Sequence, residues 1–260
     1  MKRSIYAFSA GLMLLVATAV PVNYAAAAEK AAAKPALTIY HIEGRRSQRV
    51  VWLCEELGIP YQLEFKRGDI AGSMEAIRAV NPLMPVAPTV RIDDSIMVES
   101  GAILEYLVQK YGHGKLAPAM GSEDYRDYLM WLHFSEGSAM PRMLSDLQRM
   151  MLKGEKTITP NVFPGSNFQL VGSVEILKFI EAYLAEHPYF GGQSFSAADI
   201  MMHFVAVAGD QLPGIDMSAY PHFRAWRKTV ESRPAFARTT TVALPDGKSP
   251  DGRGVQGPQK

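Results

Sequence analysis

Apolar and polar positions fall into two regimes along the chain. In the first, short β-branched and aromatic runs alternate with stretches of helical period. Residues 37–41 read as a strand that Gly44 breaks. Ser47 is placed to cap a helix over Gln48–Leu57, with Gly58 and Pro60 as its stop. A second strand is predicted over 61–65 and a short helix over 72–80. Residues 81–88 hold Pro82, Pro85 and Pro88 and read as irregular. Thr89–Ile92 and 96–98 form a predicted hairpin across Asp93 and Asp94. Ser100 then caps a helix to Tyr111, stopped by Gly112.

The second regime is helical, with no strand signal beyond Leu116. One large helix is predicted over 124–151, a Gly/Pro-rich break over 157–166, and a second long helix over 167–187. Ser196 and Asp199 have the spacing of a capping box, in which hydroxyl and acid each satisfy a free amide. They open a buried helix to Gly209. An amphipathic helix over 220–232 ends before Pro234. From Pro245 the chain is polar and Gly/Pro-rich and reads as a disordered tail. The expected organisation is an α/β domain over 37–113, a linker over 114–123, an all-helical domain over 124–242 and a tail over 243–260.

The first residues follow a different rule. Lys2 and Arg3 are followed by an uncharged stretch over 4–28, apolar over 5–20, ended by Pro21 and closed by small residues before Glu29. This order is that of a secretory signal cleaved after Ala28, which leaves a linker over 29–36 and predicts an exported, periplasmic protein. The alternative is an uncleaved membrane anchor. The stretch is long enough to span a bilayer, although Ser9, Gly11, Thr18, Pro21 and Asn23 dilute it.

Composition narrows the function classes. Apolar residues make up 48% and charged residues 20%, which excludes a disordered or fibrous chain. The 27 basic and 26 acidic residues leave a formal charge of +1, with no basic surplus of the kind nucleic acid requires. Cys54 is the single cysteine, so the chain forms no internal disulfide and no multi-thiolate metal site. It lies in an apolar helical stretch, where a lone thiol packs as a small hydrophobe.

Five strings in this order resemble the glutathione transferase superfamily. They are Ser47-Gln-Arg-Val-Val-Trp-Leu53 with Glu55 to Tyr61; Val98-Glu-Ser-Gly-Ala-Ile-Leu-Glu-Tyr-Leu107 with Lys110-Tyr-Gly112; Trp131-Leu-His-Phe-Ser-Glu-Gly-Ser138 with Met140-Pro141; the Ser196–Asp199 box; and Arg233-Pro-Ala-Phe236. The third resembles a bacterial and fungal branch. The resemblance covers residues 37–241. It implies a thioredoxin-like N-terminal domain and an all-helical C-terminal domain. It also implies glutathione as substrate with no metal or redox cofactor, an apolar co-substrate cleft between the domains, and a homodimer.

Chemistry gives these residues roles. A carboxylate is well held at a helix N-terminus, where free amides and the dipole both favour negative charge. Ser100 fits the γ-glutamyl carboxylate of glutathione, and Glu99 beside it fits the ammonium. The family holds the tripeptide's cysteine by backbone hydrogen bonds beside a cis-proline, a role that Ala87 and Pro88 match. Here the sequence departs from the family: the loop before Pro88 is one residue longer, and Met84-Pro85 stands where Gly-Lys is common. Pro88 is preferred to Pro85 because a strand must follow directly.

The thiol must be deprotonated to act as a nucleophile. The family's Ser or Cys position falls on Arg45. The candidates are Tyr40 through its phenol, Ser47 through its hydroxyl or amide, and Arg45 or Arg46 through charge, with Arg46 preferred as the helper. Tyr128, Trp131 and Phe134, with Met140 beyond them, are the candidate walls of the co-substrate cleft. The expected activity is conjugation of glutathione to an apolar electrophile. A glutathione-dependent peroxidase, reductase or lyase, or a non-catalytic glutathione binder, are the alternatives on the same scaffold.

Overall fold

The N-terminal half is built around β1 (Leu37–Tyr40), a β-branched and aromatic segment that is buried throughout. It pairs parallel with β2 (Gln62–Glu64), Thr38 opposite Gln62, and antiparallel with β3 (Thr89–Ile92), Tyr40 opposite Thr89. β4 (Ser95–Val98) closes the sheet antiparallel to β3, giving the order β2-β1-β3-β4. The computed structural model describes residues 36–154, 158, 161–162, 165–167 and 169–256; the expected signal segment, and the linker up to residue 35, lie outside them.

Side-chain alternation along β1 sends successive residues to opposite faces. Leu37 and Ile39 join the main core with Val50, Val51 and Leu53 of α1 (Gln48–Leu57) and Ile103, Leu104 and Leu107 of α3 (Ser100–Tyr111). Tyr40 goes to the other face, where Ile77 of α2 (Ile70–Val80), Ile42 and Ala87 surround it. Helices on both faces of a mixed four-stranded sheet make the thioredoxin-like layer expected for 37–113. α1 ends at Gly58, whose φ of 67° admits the left-handed turn that returns its N–H to the Cys54 carbonyl. Burial pushes the Cys54 thiol pKa up, which makes it an inert packing group.

The helical half departs from the sequence expectation at two places. The single helix expected over 124–151 is two, α4 (Glu123–Phe134) and α5 (Met140–Lys153), joined by a π-helical turn over Ser135–Ala139. The extra residue of the wider turn rotates α5 to present a different face from α4. The helix expected from 167 begins only at Ser173 as α6 (Ser173–Leu184), and residues before it form a two-stranded ribbon of β5 (Asn161–Val162) and β6 (Gln169–Leu170). A strand pair two residues long carries no alternation for the sequence to show.

α7 (Ala197–Gln211) is the central helix, buried on nearly every side. Its start is fixed by Asp199, whose carboxylate accepts from Ser196 N–H (2.8 Å), Ser196 O–H (3.0 Å), Phe190 N–H (2.9 Å) and Trp226 Nε1–H (2.8 Å). The capping box forms as its spacing predicts, and the Ser196 hydroxyl in addition donates to the carboxylate. Burial raises Asp199 to about 6 against those four donors. α8 (Pro221–Glu231) and α9 (Pro234–Ala243) follow, and α9 packs back on α1.

Beyond α9 the chain does not stray. Residues 245–256, read from composition as disordered, form a strap over the loop between β1 and α1. Val255 N–H donates to Gly44 O at 3.0 Å, and Gln211 exchanges two hydrogen bonds with the Gly254 backbone. Gly254 has φ 78°, and a Cβ there would stand 1.8 Å from the Gly44 carbonyl oxygen. Only glycine admits that approach, and this is why a polar segment without a hydrophobic pattern is nevertheless seated. Among the described residues no helix is long and apolar enough to cross a membrane.

Candidate functional site

Glu99 and Ser100 sit where β4 turns into α3. Glu99 has φ 70°, a strained conformation for a residue with a side chain and one that concentrates at functional sites. It is exposed, whereas Ser100 is buried at the first helical position. A non-glycine held at positive φ here aims an exposed carboxylate and a helix N-terminus at one corner. The peptide bond between Ala87 and Pro88 is cis and β3 follows at once, so Pro88 rather than Pro85 occupies that place. Among the described residues no hydrogen bond engages the Ala87 N–H or C=O.

Beneath Ser100 lies a cation that the sequence reading did not single out. Arg49 of α1 is buried, with only 3% of its side chain exposed. Its Nη1 donates to Ser100 Oγ at 3.0 Å and to Glu136 Oε1 at 2.6 Å; its Nη2 donates to Ser135 Oγ at 2.9 Å and to the Met201 carbonyl at 2.8 Å. Burial brings the Arg49 pKa down to about 10 and Glu136 opposes this, so the guanidinium stays charged at neutral pH. Burial would raise Glu136, but Arg49 and Arg46 outweigh it and hold the carboxylate low. Arg46 Nε donates to the same Oε1 at 2.8 Å. One carboxylate oxygen therefore joins the Ser100 corner to the loop that carries Arg46. The sequence signal was present: a charged residue at 49 within a helix otherwise apolar at 50, 51, 53 and 54.

The thiol-activating candidates divide. The Ser47 hydroxyl does not cap α1. It is fully buried and turned back into the preceding loop, where it accepts from Ile42 N–H at 3.1 Å and lies 2.8 Å from His41 Nδ1. His41 Nε2 lies 2.8 Å from the Ala243 carbonyl, so Nε2 carries the proton and Nδ1 accepts from Ser47. Ser47 is already in helical conformation, and turn hydrogen bonds from Gln48 and Arg49 N–H to the Arg45 and Arg46 carbonyls start the helix without a side-chain cap. Tyr40 is 6% exposed in the apolar layer beneath α2, its ring 5.7 Å from the Arg91 guanidinium. The hydroxyl of Ser47 and the ring of Tyr40 are thus engaged in holding the fold. Arg46 uses only Nε, and among the described residues its Nη1 and Nη2, and the backbone N–H groups of Arg46 and Ser47, have no partner.

Arg45 is engaged by the strap. Its Nη2 pairs with Asp251 at 2.5 Å and its Nη1 donates to the Arg253 carbonyl at 2.7 Å. Beside it opens a cavity of about 280 Å³. Arg45, Arg46 and Arg253 line it together with Met143, Leu147, Phe204 and Val207. The predicted wall residues are elsewhere. Trp131 is fully buried, its ring 4.8–5.1 Å from those of Phe134, Phe179, Tyr183 and Phe190. Tyr128 is 2% exposed, and Phe134 packs against Trp131 and Phe179. All three build the helical core, and past the π-turn it is α5 that lines this cavity. Met140, Met143, Leu144 and Leu147 recur there at i, i+3, i+4 and i+7, the stripe that a helix presents on one face.

Comparison with known proteins decides the family. Residues 39–116 match the glutathione S-transferase N-terminal domain and residues 169–234 the C-terminal domain. The Schizosaccharomyces pombe protein named glutathione S-transferase 3 is 31% identical over 76% of this chain and 84% of its own. The chain belongs to the glutathione S-transferase family. Its enzyme class is that of the transferases so named. The theta class glutathione S-transferase from Xanthomonas axonopodis pv. citri, solved with glutathione bound, is 27% identical with a TM-score of 0.60, covering 79% of this transferase and 97% of that chain. A glutathione transferase from Phanerochaete chrysosporium in complex with oxidized glutathione shares the fold, with a TM-score of 0.63 at 21% identity over 81% and 97% of the two chains.

Proposed function

We propose that this transferase conjugates the thiolate of glutathione to an apolar electrophile. The observation that carries the reading is the Ser100–Arg49–Glu136–Arg46 chain of contacts, which joins a carboxylate-holding helix start to a largely apolar cavity. Ser100 Oγ and N–H hold the γ-glutamyl carboxylate, Glu99 takes the ammonium, and the unpartnered Ala87 N–H and C=O pair with the backbone of the tripeptide's cysteine. That a relative 27% identical was solved with glutathione bound supports this assignment.

In this reading the sulfur lies over the start of α1. The unpartnered backbone N–H groups of Arg46 and Ser47 favour the thiolate over the thiol, and the charge of the Arg46 guanidinium adds to that field without a direct hydrogen bond to the sulfur. The thiol proton passes to solvent. The sulfur lone pair then forms a bond to the electrophilic carbon, and the leaving group departs with its electron pair. We further infer export directed by residues 1–28 and assembly as a homodimer, in keeping with the secretory order of the first residues and with the family resemblance.

The engagement of Arg45 by the strap favours one second reading, a glutathione-binding protein without transfer activity. Titrating the chain from Glu29 with glutathione while following thiolate absorbance against pH separates the two. A bound sulfur pKa well below the free value of about 8.5 supports transfer chemistry. Binding without a shift supports the second reading, and no binding overturns both.

A further inference from the structure

The cavity beside Arg45 and Arg46 is lined by two unlike sets of residues, and their chemistry narrows what enters it. One set is apolar: Met143 and Leu147 from α5 with Phe204 and Val207 from α7. The other is cationic, with Arg45 and Arg46 from the loop before α1 and Arg253 from the strap. Not one carboxylate lines the cavity among the described residues. The acids that touch these arginines are Glu136, against Arg46 and Arg49, and Asp251, against Arg45 and Arg253. Four guanidinium groups thus share two carboxylates. Glu43, the remaining acid of this loop, is buried and turned to Gly68 N–H at 2.7 Å.

The donors left over are specific. Arg46 uses Nε on Glu136, and Arg253 uses Nε on Asp251 at 3.1 Å. The terminal nitrogens of both are without partners among the described residues and form forks that suit a carboxylate; Arg46 is 27% exposed, whereas Arg253, 78% exposed, stands at the solvent edge of the cavity. The Arg46 guanidinium also lies 5.1 Å above the Phe204 ring, which holds the cation at the apolar wall instead of out in solvent. An uncharged apolar molecule would fill the wall and leave these donors unanswered.

We propose that the cavity takes an apolar co-substrate that ends in a carboxylate, its head gripped by Arg46 and Arg253 and its body packed on Met143, Leu147 and Phe204. This rests on the cavity being the co-substrate site of the proposed transferase. It also assigns the strap a purpose, since residues 245–256 deliver Arg253 to the site.

Isothermal titration of the folded protein with octanoate and with octan-1-ol, in the absence of glutathione, tests the idea directly. Octanoate is expected to bind at least tenfold more tightly than the alcohol, a preference that shrinks as salt screens the arginines. Arg46→Gln and Arg253→Gln should each reduce that preference several-fold without changing the affinity for octan-1-ol, and Arg46→Lys should retain part of it. Leu147→Ser should weaken both ligands alike. Equal binding of acid and alcohol, or a preference that survives both glutamine variants, overturns the proposal. So does competition between octanoate and glutathione, since the arginines would then be holding the tripeptide. Glutathione binding is measured separately, so loss of the transferase reading and loss of this one give different results.

Discussion

Replacing Arg49 by Met removes the one cation that α1 buries beneath Ser100. Its side chain is 3% exposed, and its two terminal nitrogens serve Ser100, Glu136, Ser135 and the Met201 carbonyl. Breaking a buried ion pair by removing one partner costs about 3–5 kcal/mol, because the remaining charge stays desolvated. Two features place this site at the lower end. Glu136 is 28% exposed and keeps Arg46, and Ser135 Oγ still donates to the Met201 carbonyl at 3.0 Å. The expected loss is about 3 kcal/mol, which for a chain of this size lowers Tm by about 6–12 °C. Arg49→Lys retains the charge but not the fork, and should lose about half as much. Arg46→Gln touches the same Glu136 oxygen from a position 27% exposed and should cost about 1 kcal/mol or less. Urea unfolding followed by tryptophan fluorescence orders the three. If Arg49→Met unfolds within 1 kcal/mol of the parent, or Arg46→Gln costs as much, the buried-cation argument is refuted.

Three further outcomes follow from the same structure. Ser100→Ala should weaken glutathione binding about tenfold in a fluorescence titration, through loss of about one charge-assisted hydrogen bond, and an unchanged Kd would remove Ser100 from the site. Gly254→Ala brings a Cβ within 1.8 Å of the Gly44 oxygen at φ 78°, so amides over 245–256 should exchange at least tenfold faster by mass spectrometry, while Gly247→Ala, with nothing within 4 Å, carries only the strain of its φ of 69° and should loosen the strap much less. Burial lowers His41 to about 4, opposed by its bond to Ala243, so between about pH 6.5 and 4 the unfolded chain binds a proton that the folded one excludes. Stability should therefore fall by about 2 kcal/mol from pH 7 to pH 5, with His203, also lowered by burial, acting in the same direction. A slope that His41→Gln does not flatten would count against this assignment.

The Glu99–Ser100 corner and the cis Pro88 were readable because their signals are local. The apolar run of 96–98 followed by Glu99-Ser100 specifies a strand ending in a helix start, and the structure has that corner. Pro88 was distinguishable from Pro85 because a strand must begin at Thr89. The thiol-activating and cleft candidates share a different property. Alternation along β1 says that Tyr40 and Ile39 face opposite ways, but helices cover both faces, so it cannot say which faces the cleft. Ser47 is a common capping residue, yet His41 and Ile42 claim its hydroxyl. Tyr128, Trp131 and Phe134 form a helical stripe that is equally a cleft or a core until the π-turn at 135–139 is known.

Secondary structure and the Glu99–Ser100 corner thus follow from neighbours in the chain, through steric preference, caps and hydrophobic period. The cationic cavity does not. Arg49 meets Glu136 across 87 residues and Arg45 meets Ser249 across 204. The strap is held by two glycines in backbone contact, a feature that leaves no periodic trace in composition. Such contacts exist only when the sheet, α5, α7 and the C-terminal segment converge. Packing, in which long-range partners compete for each buried polar group, selected which of the sequence's candidates reach the site and which hold it together.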